Sequence, residues 1–464
     1  MTGWNFDNSY ARLPARMFHR QPPAQVPAPR LLKVNAALAH RLGLDPAEIT
    51  ADIAAGNAVP PGADPLAQAY AGHQFGNLVP QLGDGRALLL GEQIAPDGAR
   101  FDLQLKGSGR TPFSRGGDGK AWLGPVLREY LMSETMHALG LPTTRALAMA
   151  TTGEQVLRER PLPGAVLMRV AASHIRVGTF QFFALRGDTE ALAALTEYAI
   201  NRHAPEASGP EDLLEHVVQA QADLIAGWMA FGFIHGVMNT DNCTISGETI
   251  DYGPCAFMES YHPMQVFSSI DRQGRYAYGN QPAIAAWNLA QLGSSLLPLM
   301  PDSDAAIPRF QSLIDSFFDR FSTAWLARFA AKLGLPDATP DDVPLIEDLL
   351  ALMAEERLDF TQTFASLTDP DSLPGPQGAQ WRDRWRKRTI GHDPAPQMAQ
   401  ANPTMVPRLH QIESAITAAV TDDFAPFETL LAAATTPFAP RKASDPLTQA
   451  APAGKEVTRT FCGT

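Results

Sequence analysis

Two hydrophobic periods divide the chain. Between about 66 and 172 the apolar positions follow the two-residue rhythm of strands, interrupted by one helix. ALLLGEQI (87–94) and RFDLQLKGSG (100–109) predict two strands joined by a turn at Pro96-Asp97-Gly98. In the second, Phe101, Leu103 and Leu105 alternate with Asp102, Gln104 and Lys106, which places Lys106 on the polar face. AVLMRVA (165–171) predicts a further strand. Between these, PVLREYLMSETMHALGL predicts a helix entered at Pro125, a residue suited to the first turn. Leu127, Leu131, Glu134 and Ala138 fall along one side of it, so its apolar stripe is broken, and Glu129 lies near its start.

Beyond about 173 the period is helical. DLLEHVVQAQADLIAGWMAFGF is amphipathic, with apolar residues at 213, 214, 217, 218, 224, 225, 228 and 229. Helices are also predicted across 281–365 and 408–435, and CTISGETID (243–251) reads as a short hairpin. Residues 1–65 carry Pro-rich pieces around LLKVNAALAHRLGL and read as an extension wrapped on the main body. Residues 66–172 form a β-rich part with one helix, 173–440 a larger helical part, and 441–464 a polar, loosely held tail whose Phe461 suggests that its end docks. No internal repeat is present. The fold class expected is α+β.

Hydrophobic residues at 45% and charged ones at 19% are those of a folded globular protein, and 36 glycines with 39 prolines imply many ordered loops. A net charge of −12 argues against nucleic acid as a partner, since such binding relies on basic surface. No apolar run approaches the ~18 residues that span a bilayer, and the N-terminus has no apolar signal core. The expectation is a soluble cytoplasmic protein with no membrane partner. Three cysteines, Cys243, Cys255 and Cys462, are too few and too scattered for a disulfide scaffold or a Cys-rich zinc site.

The chemistry concentrates in a handful of short motifs. HGVMNTDN (235–242) keeps the seven-residue interval between His and Asn of the protein-kinase catalytic loop, and Asp251-Tyr252-Gly253 follows where D-F-G would stand. Val237 occupies the place of the kinase catalytic Asp, while a carboxylate appears instead as Asp241. Upstream lie a Gly-rich turn (Gln81-Leu82-Gly83-Asp84-Gly85-Arg86), the strand lysine Lys106 and the helix glutamate Glu129. That is the kinase order: glycines that let backbone N–H groups approach phosphate, a Lys fixed by a Glu, then an Asn and an Asp as Mg²⁺ ligands. Taken singly each has a bland alternative. A G-x-G is usually a turn, a strand Lys a solvated charge, a helix Glu a surface or capping residue, and D-Y-G a β-turn. In this order and on these elements they indicate a nucleotide site.

YAGHQFGNLVPQLGDGRALLLGE (70–92), LQLKGSGRTPFSRGGDGKAWLGPVLREYLMSE (103–134), GFIHGVMNTDNCTISGETIDYGPCAF (232–257) and GRYAYGNQPAIAAWNLAQL (274–292) closely resemble the selenoprotein O family, as a Cys-containing bacterial member. The similarity runs from about residue 5 to the C-terminus. It implies a protein-kinase-like bilobal fold, with a β-rich N-lobe holding one key helix and a larger helical C-lobe. It also implies an ATP flipped relative to kinases, and transfer of AMP to Ser, Thr or Tyr hydroxyls of proteins, with self-modification by the chain left open. On the matching positions it assigns ATP contacts to Gly83, Gly85, Arg86, Lys106, Asp118, Gly119 and Asp251, and phosphate contacts to Arg169 and Arg176. Asn242 and Asp251 are assigned Mg²⁺ (with Mn²⁺ able to substitute), Glu129 the pairing to Lys106, and Asp241 the role of proton acceptor. The arginines fit a flipped pose: Arg86, Arg169 and Arg176, if convergent, would claim a terminal phosphate, although Arg169 and Arg176 could instead pair with surface acids. Asp241 alone could equally be a turn-forming Asp, and as a base beside Mg²⁺ it would have a low pKa. His73 reads as a structural residue bonding backbone. The resemblance further implies a redox-sensitive disulfide between Cys255 and the C-terminal Cys462, against the bland reading of two cytosolic thiols. An ordinary kinase, or an inactive nucleotide-binding redox-sensing scaffold, are the competing readings. The missing Asp at 237 disfavours the first, and the retained Asn242 and Asp251 the second.

Overall fold

The computed structural model describes residues 3–369, 372–442 and 444–461. Ten strands carry its β-rich part: β1 (Phe18–Arg20), β2 (Arg30–Val34), β3 (Leu66–Gln68), β4 (Gly72–Gln74), β5 (Asn77–Val79), β6 (Ala87–Ile94), β7 (Arg100–Lys106), β8 (Ala121–Trp122), β9 (Arg145–Leu157) and β10 (Pro161–Ala171). Eight of them form one antiparallel sheet ordered β1-β3-β6-β7-β10-β9-β2, with β8 added on β10, and β4 and β5 pair separately as a hairpin. The expected strands at 87–94 and 100–106 are found, and the one at 165–171 is the end of the longer β10.

Strand alternation decides what each sheet face does. Leu103 and Leu105 of β7 and Val166, Met168 and Val170 of β10 point to one side. There they bury against α1 (Ala36–Arg41), α2 (Ala51–Ala55) and the residues around them, notably Leu38, Leu42 and Ile49. The N-terminal extension is thus the cover of this face, and it also supplies edge strands β1 and β2. Lys106, Gln104 and Arg169 point to the other side, which packs on α3 (Leu123–Ala138). α3 begins two residues before Pro125 and is buried nearly all round, polar residues included, because the sheet covers one flank and the C-terminal helices Leu409–Val420 and Ala425–Ala434 the other. Its broken stripe is filled by pairs: Glu134 takes two bonds from Arg145, at 2.9 and 2.7 Å.

The helical part is built around α6 (Pro210–Ala230), packed on α7 (Gln281–Leu296) and α8 (Ser303–Leu333), with α4 (Val177–Ala184) and α5 (Thr189–His203) between sheet and bundle. A two-residue strand after α6, β11 (Phe233–Ile234), pairs with β12 (Ala256–Phe257) and holds the ends of the 235–255 loop together. One expectation is corrected. Residues 243–251 do not pair with each other as a hairpin; Thr244 bridges to Arg176 and Thr249 to Thr143, so both ends are drawn outward to other elements. The end of the tail docks as expected, but through Thr460, its N–H on the Phe267 carbonyl at 2.8 Å and its hydroxyl on the Pro254 carbonyl at 2.6 Å, while Phe461 itself is 70% exposed. Cys462 lies outside the described residues. No described helix is long and apolar enough to cross a membrane.

Candidate active site

Two glycine-bearing loops brace each other at the mouth of a cavity of about 1020 Å³. In the first, Gly83 has φ +77°, and a Cβ there would stand 2.4 Å from the Phe113 ring of the second. Thr111 Oγ1 donates to the Asp84 carbonyl at 2.6 Å, and Ser114 Oγ to that of Gly85. In the second loop, Gly119 has φ +72° and lies so close to the Gly109 backbone that a Cβ would fall 2.3 Å from its carbonyl. Asp118 is held by Arg158 at 2.7 Å and accepts the Lys120 N–H at 2.9 Å. Arg86 lines the same cavity.

Beneath them sits a buried charge cluster. The register pairs Arg169 on β10 with Gln104 on β7, and Arg169 Nη2 donates to Gln104 Oε1 at 2.5 Å. Its Nη1 donates to Glu129 Oε1 at 3.0 Å and to Asp251 Oδ1 at 2.8 Å. Lys106 Nζ donates to Glu129 Oε2 at 2.6 Å and also contacts Asp251. Arg176, the residue before α4, lies over the Tyr70 ring at 4.4 Å and stands 3.8 Å from both Asp84 and Asp251. Three cations thus face three carboxylates. Arg169 and Arg176 are only 2% and 1% exposed, and the Nε of each is buried with no partner among the described residues. Burial alone would raise the Asp251 carboxyl, but Lys106, Arg169 and Arg176 outweigh it and hold it well below the usual carboxylate range. Burial raises the Asp84 carboxyl against the pull of Arg176. Asp251 has φ +62°, a left-handed conformation that Asp tolerates better than most residues.

The 235–242 loop closes the cavity. His235 is a packing residue, stacked on Trp228 with its Nε2 on the Ile250 carbonyl at 2.8 Å. Asn242 Nδ2 donates to the Val237 carbonyl at 2.9 Å, which commits the amide N–H and leaves Oδ1 for a ligand. Asp241 is buried, and that burial pushes its carboxyl up to about 6. Its Oδ1 has no partner among the described residues.

The cavity is lined by Gly83, Gly85, Arg86, Lys106, Asp118, Gly119, Glu129, Arg169, Arg176, Asp241, Asn242 and Asp251, so every expected nucleotide and metal residue lies on its wall. Neither Arg169 nor Arg176 pairs with a surface acid. Cys255 is fully buried one residue beyond Pro254 of the lining. Among the described residues no group of three or more His, Cys, Asp or Glu forms a metal cage. Sequence reasoning missed Asp84, whose place between two glycines of the loop was the available signal. It also missed Tyr70 and the β4–β5 hairpin. His73 donates its backbone N–H to Thr240, and its ring Nδ1 accepts from the Gln181 side chain at 2.9 Å.

Comparison with known proteins matches this arrangement to a family. A family model described as protein adenylyltransferase SelO matches residues 1–435. The protein nucleotidyltransferase YdiU of Jannaschia sp. is 58% identical over 475 residues, covering 99% of both chains. That of Roseobacter denitrificans is 56% identical over 467 residues, again with 99% of each chain covered. That of Rhizobium rhizogenes is 55% identical over 491 residues, covering 99% of this chain and 97% of the relative. With a match across nearly its whole length and a wall built from the residues its motifs single out, the chain belongs to the protein adenylyltransferase SelO family.

Proposed function

We propose that this protein is a Mg²⁺-dependent protein adenylyltransferase on a kinase-like bilobal fold, with 66–172 as N-lobe and 173–440 as C-lobe. Family membership makes it a nucleotidyltransferase with ATP as substrate. The finer reading is that AMP passes to a Ser, Thr or Tyr hydroxyl of a protein. The observation that carries it is the cluster of half-buried Lys106 with fully buried Arg169 and Arg176, in the same cavity as Asp241, Asn242 and Asp251. Cations this deeply buried suit the most highly charged part of the nucleotide, its terminal phosphates. A γ-phosphate held there is sequestered, which leaves the α-phosphate for attack.

In this reading the acceptor hydroxyl oxygen bonds to the α-phosphorus as the bond from that phosphorus to the β-phosphate oxygen breaks. Pyrophosphate leaves, and the hydroxyl proton passes to Asp241. Val237, apolar and buried, cannot serve in the place where a kinase keeps its base. The donor set fits Mg²⁺: Asn242 Oδ1 and an ionised Asp251 would offer it two oxygens, with phosphate and water as further ligands. When bound, Mg²⁺ supplies neutralisation of phosphate charge. Glu129 keeps Lys106 and Arg169 in place, and the two glycine loops bring backbone N–H groups to the nucleotide. Docking of Thr460 on Pro254 also favours the disulfide reading, since it carries the tail to the Cys255 segment; thiol labelling before and after reduction tests it, and an unchanged thiol count would dispose of it.

Phosphorus NMR of the by-products tests the reaction class. With ATP, Mg²⁺ and an acceptor protein, pyrophosphate should appear in step with modification. ADP appearing in step instead would establish a kinase.

A further inference from the structure

Residues 70–75 form one continuous wall between the phosphate-facing cations and Asp241. At one end the Tyr70 ring supports the Arg176 guanidinium. Ala71 N–H then donates to the Gly178 carbonyl at 2.9 Å, tying the segment to the first turn of α4. Gly72 lies directly against the carboxylate: a Cβ on it would stand 2.3 Å from Asp241 Oδ1. The next three residues each bond one residue of the catalytic loop. His73 N–H donates to Thr240 Oγ1 at 2.8 Å, Gln74 Nε2 reaches Asp241 Oδ2 at 3.5 Å, and Phe75 N–H donates to Asn239 Oδ1 at 3.1 Å. Asn239 Oδ1 is fixed again by the Tyr276 hydroxyl at 2.6 Å.

The hairpin is itself anchored to the helical part. The His73 ring meets the Trp287 ring edge-on at 5.2 Å as well as bonding Gln181. Phe75 holds φ +51°, a conformation an aromatic residue adopts only under constraint, and the bond to Asn239 is that constraint. Among the described residues Asp241 has one side-chain hydrogen-bond partner outside its own loop, Gln74. Its Oδ1 is buried against Gly72 with no partner among the described residues, and Oδ2 is the oxygen within reach of Gln74.

We propose that strand β4 aims the Asp241 carboxylate, with Gly72 leaving the room it occupies and Gln74 acting as a positioning residue that fixes the orientation of Oδ2. This rests on the reading of Asp241 as the group that takes the hydroxyl proton. Because Tyr70 supports Arg176 on the same short segment, the wall also sets the spacing between the phosphate cations and the carboxylate.

Two substitutions separate aiming from folding. Gly72 is not in the left-handed region, and the groups a new Cβ would meet first are the Asp241 carboxylate and a Leu82 methyl, so Gly72→Ala should displace side chains and keep the backbone. Gln74→Met keeps the size of the side chain and removes its N–H donors. Transfer from α-labelled ATP to an acceptor protein is measured for wild type and both variants, together with ATP affinity by calorimetry and the thermal midpoint. Both variants should lose roughly ten- to a hundredfold in kcat, as expected for a misplaced catalytic group, while KM and Kd for ATP stay within about twofold. Wild-type kcat in either variant overturns the proposal, as does a fall in ATP affinity that matches the loss of kcat. Absence of label with the wild-type protein overturns the transfer reading and this inference with it.

Discussion

Replacing Asp241 with Asn is expected to stabilise the protein while ending transfer. Burial lifts this carboxyl from 3.8 to about 6. At about 1.4 kcal/mol for each factor of ten in proton affinity, keeping it ionised inside the fold costs about 3 kcal/mol. The folded-state value is the raised one, so the cost is fully present above pH 6. It shrinks as the pH falls from 6 towards 3.8 and is absent below, where the carboxyl is protonated folded or unfolded. Asn has the same shape and never ionises. Asp241→Asn should therefore gain about 3 kcal/mol at pH 8, with the gain vanishing near pH 4. An unfolding entropy of about 2.1 cal/mol/K per residue over this chain translates that into about 3 °C in thermal midpoint. Urea denaturation and thermal melts at pH 8, 6 and 4.5 read both quantities. A variant no more stable than wild type at pH 8, or a gain that does not change with pH, would refute the reasoning.

With Asp241 in the proposed role of proton acceptor, kcat/KM, which reports the free enzyme, should fall about tenfold per pH unit below about 6, and a flat profile to pH 5 would remove Asp241 from that role. Arg169→Met strips the buried cation from Glu129 and Asp251 and should cost about 3–5 kcal/mol in urea denaturation; a loss below about 1 kcal/mol, the range of exposed pairs, would contradict the cluster's geometry. Gly119→Ala forces a Cβ into the Gly109 carbonyl at an unfavourable φ and should weaken ATP binding by about tenfold, or about 1.4 kcal/mol, by calorimetry.

The sequence carried the strands and helices that hold most of the site, because their periods are long and regular. What it could not carry was the surroundings of a polar face. Asp102, Gln104 and Lys106 alternate with apolar residues as they would on a strand facing water. Yet Asp102 is buried against His174 and Arg202, each at 3.1 Å, and Gln104 against Arg169. Those partners lie 65 to 100 residues away in sequence, so no local pattern announces them. The edge strands 18–20 and 30–34 are short, flanked by prolines, and formed only because the sheet offers them a partner. The β4–β5 hairpin hid behind its glycines: GHQFGN reads as a turn, but Gly72 is there for room beside Asp241. Arg169 and Arg176 were legible as residue types near and just beyond a strand end, and their burial was not.

Labelled ATP tests the central claim most directly. Wild-type protein is incubated with Mg²⁺, an acceptor protein and ATP carrying label on either the α- or the γ-phosphate, in parallel. Label on the acceptor from the α-labelled nucleotide alone is the expected result, with none after Asp251→Ala. Label from the γ-phosphate would mean that the cation cluster does not sequester the terminal phosphate, and the protein would be a kinase.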